Sequence, residues 1–173
     1  LTDIHLDFVT PDRLVAFLDE VVDCDVDAVL IGGDICEAFT LRRYLPRVAE
    51  DCRCPVYFVL GNHDYYGSSI IRVRATVQGL CREEPDLHYL TLGEIVELTP
   101  TVGLIGHDGW ADARAGDFDN SVVMLNDYLK IEDLAGPATK QGLRRVLNSL
   151  GDEAAEDGDA RPAVPRSVRV RWP

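Results

Sequence analysis

The chain is short of basic residues: 17 Lys and Arg stand against 30 Asp and Glu over 173 positions, a formal net charge of −13. Sequence-independent binding to a nucleic-acid backbone needs surplus Lys and Arg, so that class of partner is not expected. A phosphate-ester substrate stays compatible with the charge, because bound cations reverse the field inside a site. Long apolar runs are also missing, which argues against a membrane span. The opening residues Leu1-Thr2-Asp3-Ile4-His5 lack the basic and apolar regions of a signal peptide, and a start at Leu1 rather than Met leads us to expect that the natural N-terminus is lost. Cysteine framework spacing is absent: the five cysteines (Cys24, Cys36, Cys52, Cys54, Cys81) are odd in number, which points to reduced thiols and a cytoplasmic location. Cys52-Arg53-Cys54 has one intervening residue, too few for the usual zinc spacing. No solenoid-like repeat is present.

What remains is the composition of one soluble globular domain, 46% hydrophobic and 27% charged, long enough to bury a core. The first two-thirds alternates helix and strand signals. Thr10 as cap and Pro11 as first helical residue open a helix with an apolar face of Leu14, Val15, Leu18, Val21 and Val22. Ala28 to Ile31 and Pro55 to Leu60 are continuous apolar runs, as in parallel strands covered on both faces. Helices are expected over Ala38 to Glu50 and Ser69 to Arg82. Leu87 to Leu92, Glu94 to Leu98 and Val102 to Ile105 then read as neighbouring antiparallel strands. A Gly- and Asp-rich loop, Gly106 to Asn120, precedes helical stretches at Val122–Ile131 and Thr139–Leu150. From Gly151 the apolar periodicity disappears, so we divide the chain into a domain of residues 1–150 and a disordered tail of residues 151–173. The arginines of that tail suggest nucleic-acid contact only weakly.

Three short motifs end the first segments: Asp3-Ile4-His5, Gly32-Gly33-Asp34 with Glu37 beyond it, and Gly61-Asn62-His63-Asp64. The intervals between them are about one strand, crossover helix and strand long, so parallel strands bring all three to the carboxyl edge of one sheet. Carboxylates there are costly to desolvate without a cation or hydrogen-bond donors. Asp, His and Asn suit divalent ions such as Mn, Fe or Zn.

These motifs resemble the signature of the calcineurin-like metallophosphoesterases: D-x-H, G-D-x-x-[DE] and G-N-H-[DE], in order and at suitable spacing over roughly Leu1 to Asp119. The resemblance implies an α/β fold, a layered β-sandwich flanked by helices, here incomplete at both ends. It implies a metal-dependent phosphoesterase that hydrolyses phosphomonoesters or phosphodiesters through a metal-bound hydroxide. Two divalent metal ions (Mn, Fe or Zn) would be held by Asp3 and His5 at the first position, by Asp34 as the bridge, and by Asn62 at the second. His63 would serve the leaving-group oxygen as acid or stabiliser, oriented by Asp64. The family's later histidines, one alone and two in G-H-x-H, have no counterpart: only His88 and His107 follow His63, in other contexts. The second metal site is therefore expected to be weak or empty. An inactive, truncated remnant or a metal-binding module stays open as the alternative. Glu37 reads as a first-turn helix carboxylate, and Trp110, Arg114 and Asp117 as either a substrate mouth or an exposed loop tied by Arg–Asp pairs. Neither substrate identity nor oligomeric state follows from the letters.

Overall fold

The computed structural model describes residues 1–91, 93 and 95–160. Its centre is a parallel sheet in the order β1 (Val29–Gly32), β2 (Val56–Val59), β3 (Leu87–Tyr89). Val29 lies opposite Val56, and Val56 opposite Leu87. Helix α1 (Pro11–Asp23) precedes β1, α2 (Leu41–Cys52) crosses from β1 to β2, and α3 (Ile70–Glu83) crosses from β2 to β3. Parallel neighbours require such crossovers. The first residues extend the same sheet: the Leu1 ammonium donates to the Leu30 carbonyl and the Gly32 amide donates to the Leu1 carbonyl, both at 2.8 Å. Residues 1–3 thus run beside β1 and reach its carboxyl edge.

The core lies between sheet and helices. Leu41 and Leu45 of α2, Val56 and Phe58 of β2, and Val77 of α3 are fully buried, each contributing about 1.5–3 kcal/mol. On α1 the packed stripe is narrower than the sequence suggests. Leu18 is buried and Leu14, Phe17 and Val21 pack on the core, whereas Val15 and Val22 remain 47% exposed. The i, i+3, i+4, i+7 set wins because one face of a short helix meets the core. Thr10 makes no side-chain cap bond; its carbonyl accepts from Leu14 instead.

Two further expectations are corrected. The strand at Leu87 is parallel to β2, because α3 feeds it in as a crossover; among the described residues, only β4 (Val96–Thr99) and β5 (Val102–Leu104), joined by a tight turn, pair antiparallel. Leu92 and Glu94, parts of the expected strands, lie outside the described residues. The described strands form one three-stranded parallel sheet and one two-stranded hairpin in a mixed α/β fold. The stretch 122–131 is helical only at α4 (Asp127–Lys130); Val122 is 97% exposed, and β-branched residues without a packed face favour helix poorly.

Finally, α5 (Glu132–Ala135) is followed by α6 (Lys140–Ala160), which continues straight through Gly151, so the expected boundary after residue 150 falls inside a helix. Gly151 is a contact point rather than a breaker. A Cβ there would sit 2.4 Å from the Asp112 Cβ, and Asn148 Nδ2 donates to the Asp112 carbonyl at 2.5 Å. Asp152 and Glu153 then pair with Arg114 and Arg74, both at 2.5 Å. The expected tail beyond residue 160 lies outside the described residues.

Candidate metal centre

Three chain segments converge at the carboxyl edge of the sheet. Asp34 follows β1, His63 follows β2, and His5 ends the stretch that runs beside β1. The turns are tight. Asp3, His5 and Asp34 all have positive φ (51°, 40° and 51°), a left-handed conformation costing non-glycine residues roughly 1–3 kcal/mol each. The loops after β1 and β2 touch through glycines. A Cβ on Gly33 would lie 2.6 Å from the Gly61 nitrogen, and one on Gly61 would lie 2.1 Å from Asp34 Oδ1. Side chains at these positions would wedge the two loops apart.

This approach gathers His5, Asp34 and His63, whose candidate donor atoms lie within 4.8 Å of one another. His5 Nε2 is 3.9 Å from Asp34 Oδ2, and the two imidazoles meet edge to face at 4.6 Å between centroids. The His63 amide donates to Asp34 Oδ1 at 3.0 Å, fixing the carboxylate. Nδ1 of His5 and Nδ1 of His63 are both buried without a hydrogen-bond partner. Burying such nitrogens unpaired costs about 1–3 kcal/mol apiece, a cost that ligation of a cation offsets. Two nitrogens and one carboxylate oxygen suit Zn, Mn or Fe, so the donor set fits one divalent ion.

The other expected site residues are placed differently. Asp3 is exposed and its carboxylate accepts the Thr2 hydroxyl at 2.5 Å, outside the donor group, because the left-handed turn at Asp3 leaves it facing its neighbour. Asn62 Nδ2 donates to Asp127 Oδ1 at 2.9 Å and to the Tyr66 hydroxyl at 3.3 Å. Glu37 stands before α2 rather than in its first turn, 3.5 Å from Lys130 Nζ. His107 Nδ1 accepts from the Gly109 amide, and His88 stacks on Tyr57 at 4.8 Å. Arg114 pairs with Asp112 and Asp152, and Trp110 packs against Tyr65, so this loop is tied down by Arg–Asp pairs.

Asp64 is the clearest correction. It does not reach over to orient His63; both its oxygens are taken by backbone. Oδ1 accepts the Ile35 and Cys36 amides at 2.9 and 3.0 Å, and Oδ2 accepts the Gly61 amide at 2.8 Å. Fully buried, it staples the loop after β1 to the loop after β2, and so acts on the site through the backbone. Burial pushes its pKa up to about 7, against the opposing pull of the Cys36 and Gly61 amides. An asparagine offers only one acceptor end. Asp64→Asn is therefore expected to destabilise the protein by about 2–3 kcal/mol, measured by urea denaturation; a loss under about 0.5 kcal/mol would show that the amides do not depend on the carboxylate.

Two features escape sequence reading altogether. Asp108, its side chain 2% exposed, gathers Leu60, Tyr65, Tyr89, Thr91 and Arg74. Asp127 and Tyr66 meet Asn62 from the far side. Both depend on contacts between distant segments, and neither sits at a recognisable spacing. The thiols offer nothing comparable: all five cysteines are free, and burial pushes Cys36 up to about 12 and also raises Cys52 and Cys54.

A parallel sheet whose carboxyl edge gathers two imidazoles and a carboxylate defines an α/β protein with a candidate metal centre. The calcineurin-like phosphoesterase family model matches residues 1–158, and the chain belongs to that family. No curated protein and no solved structure matches it. Among the described residues, no helix is long and apolar enough to cross a membrane.

Proposed function

We propose that this chain hydrolyses a phosphomonoester or phosphodiester with the help of divalent cations gathered at the carboxyl edge of its sheet. The observation that carries this reading is the convergence of His5, Asp34 and His63 within 4.8 Å, each from a different segment. Family membership supports phosphoester chemistry in general. Bound cations would polarise the phosphoryl group and lower the pKa of water, the chemistry side chains here cannot supply. His5 and Asp34 hold the cation. Asp3 would add its carboxylate to them, and Asn62 would offer its oxygen to a second, weaker position. His63 presents its imidazole to the same space and holds a proton for the leaving-group oxygen. Asp64 keeps the two loops in register beneath them. The same reading takes the three-stranded sheet as one layer of the family's sandwich.

The test is turnover of aryl phosphates and aryl phosphodiesters with Mn²⁺, alongside Mn²⁺ binding. Asp34→Ala is expected to lose both. His63→Ala is expected to keep Mn²⁺ binding and lose about 10²- to 10⁴-fold in turnover. Unchanged turnover in both variants would reject the proposal. Binding of Mn²⁺ by the wild-type chain without any turnover would favour the metal-binding module instead, a reading supported by His88 and His107 lying away from the donor group.

A further inference from the structure

We propose that Asp127 is a positioning residue of the second cation position, holding the Asn62 amide so that its carbonyl oxygen is presented beside Asp34. The proposal rests on the phosphoesterase reading above and adds a residue that no motif in the sequence contains.

An asparagine amide can face either way, and only its oxygen can bind a cation. Here one carboxylate oxygen settles the direction. Asp127 Oδ1 accepts from Asn62 Nδ2 at 2.9 Å and from the Tyr66 hydroxyl at 2.7 Å, while the same Nδ2 lies 3.3 Å from the Tyr66 oxygen. A carboxylate accepts only, so the nitrogen end of Asn62 must point to Asp127. The carbonyl oxygen is the end left for other chemistry. Asn62 also sits between two residues that touch Asp34: the His63 amide donates to Asp34 Oδ1, and Gly61 abuts the same carboxylate.

Asp127 is not carried on a loose loop. The segment from α4 to α5 docks on the chain just after the site. The Gly67 amide donates to the Lys130 carbonyl at 2.8 Å and the Glu132 amide to the Ser68 carbonyl at 3.0 Å. The Ile70 amide donates to Asp133 Oδ2 at 2.7 Å, and Ile131 and Leu134 are buried beneath. Tyr66 in turn packs on His63 at 4.4 Å between ring centroids. A side chain from the last third of the chain thus closes the far side of a site otherwise built from the first 63 residues. The partner of a metal ligand fixes that ligand's orientation, and losing it typically costs about 10- to 100-fold in metal affinity.

The experiment is calorimetric titration of the full chain with Mn²⁺. The wild-type protein is expected to show a tighter and a weaker phase, the tighter one abolished by His5→Ala. Asp127→Asn, which frees the Asn62 amide to turn, is expected to weaken only the weaker phase, by about 10- to 100-fold. Asn62→Ala should lose the same phase, and the double variant should be no worse than Asn62→Ala alone. Asp127→Glu, which displaces the carboxylate by one methylene, gives the same expectation should Asp127→Asn fail to fold. An Asp127→Asn isotherm identical to the wild type, or a wild-type isotherm with a single cation, overturns the role of Asp127 and leaves the phosphoesterase reading standing. No Mn²⁺ binding at all removes both.

Discussion

Asp108→Ala is expected to destabilise the protein by about 3–5 kcal/mol, the typical cost of removing one partner from a buried ion pair. The carboxylate ties the end of β2, the turn after it, α3 and the end of β3 together. Oδ1 accepts the Leu60 amide at 2.8 Å and the Thr91 hydroxyl at 2.6 Å; Oδ2 accepts the Tyr65 hydroxyl at 2.6 Å and the Tyr89 hydroxyl. Arg74 Nε lies 3.4 Å from Oδ2, with 16% of its side chain exposed. Alanine would strand two buried phenols, a backbone amide and much of a guanidinium, leaving Glu153 as the partner that Arg74 still holds at 2.5 Å. Burial first, then Asp108, raises the pKa of Tyr65 and Tyr89, so both stay protonated as donors over the whole stable range. Urea denaturation measures the loss. A cost below about 1 kcal/mol would mean that water replaces the carboxylate and that its bonds contribute little.

Gly61→Ala should separate site from fold in the opposite sense. The new methyl would sit 2.1 Å from Asp34 Oδ1 and 2.6 Å from the Asp34 nitrogen. Backbone atoms cannot swing aside, so the loop carrying Asp34 must shift. Displacements near 1 Å cost on the order of 10²-fold in catalysis, whereas overpacking at one loop contact costs about 1–3 kcal/mol of stability. The variant is therefore expected to stay folded, with turnover down about 10²-fold and Mn²⁺ binding impaired. Wild-type turnover in a folded Gly61→Ala protein would show that the two loops need not touch for the site to work.

How much of this was readable beforehand follows from where each interaction lives. The strands at Val29 and Val56 and the helices between them announce themselves, because burial on both faces forces continuous apolar runs and crossovers set their spacing. The motifs at His5, Asp34 and His63 are legible for the same reason: short turns at strand ends leave few choices of residue. The direction of β3 was misread because a three-residue strand carries no signal of its partner; α3 decides it. The loss of apolar periodicity from Gly151 hides the continuing helix, because the role of this glycine, admitting Asp112 against the helix, is visible only once the loop at 111–114 is in place. Asp64 beside His63 invited a local pairing, yet its buried oxygens bond amides at Ile35, Cys36 and Gly61. Asp108 and Asp127 read as loop and helix carboxylates until partners many residues away surround them.

The most direct measurement is anomalous scattering from crystals grown or soaked with Mn²⁺ or Zn²⁺. Ligation by His5 and Asp34 predicts a strong anomalous peak within coordination distance of both side chains and beside the His63 imidazole, lost in Asp34→Ala crystals. Crystals at millimolar metal with density for the three side chains but no peak among them would contradict the account.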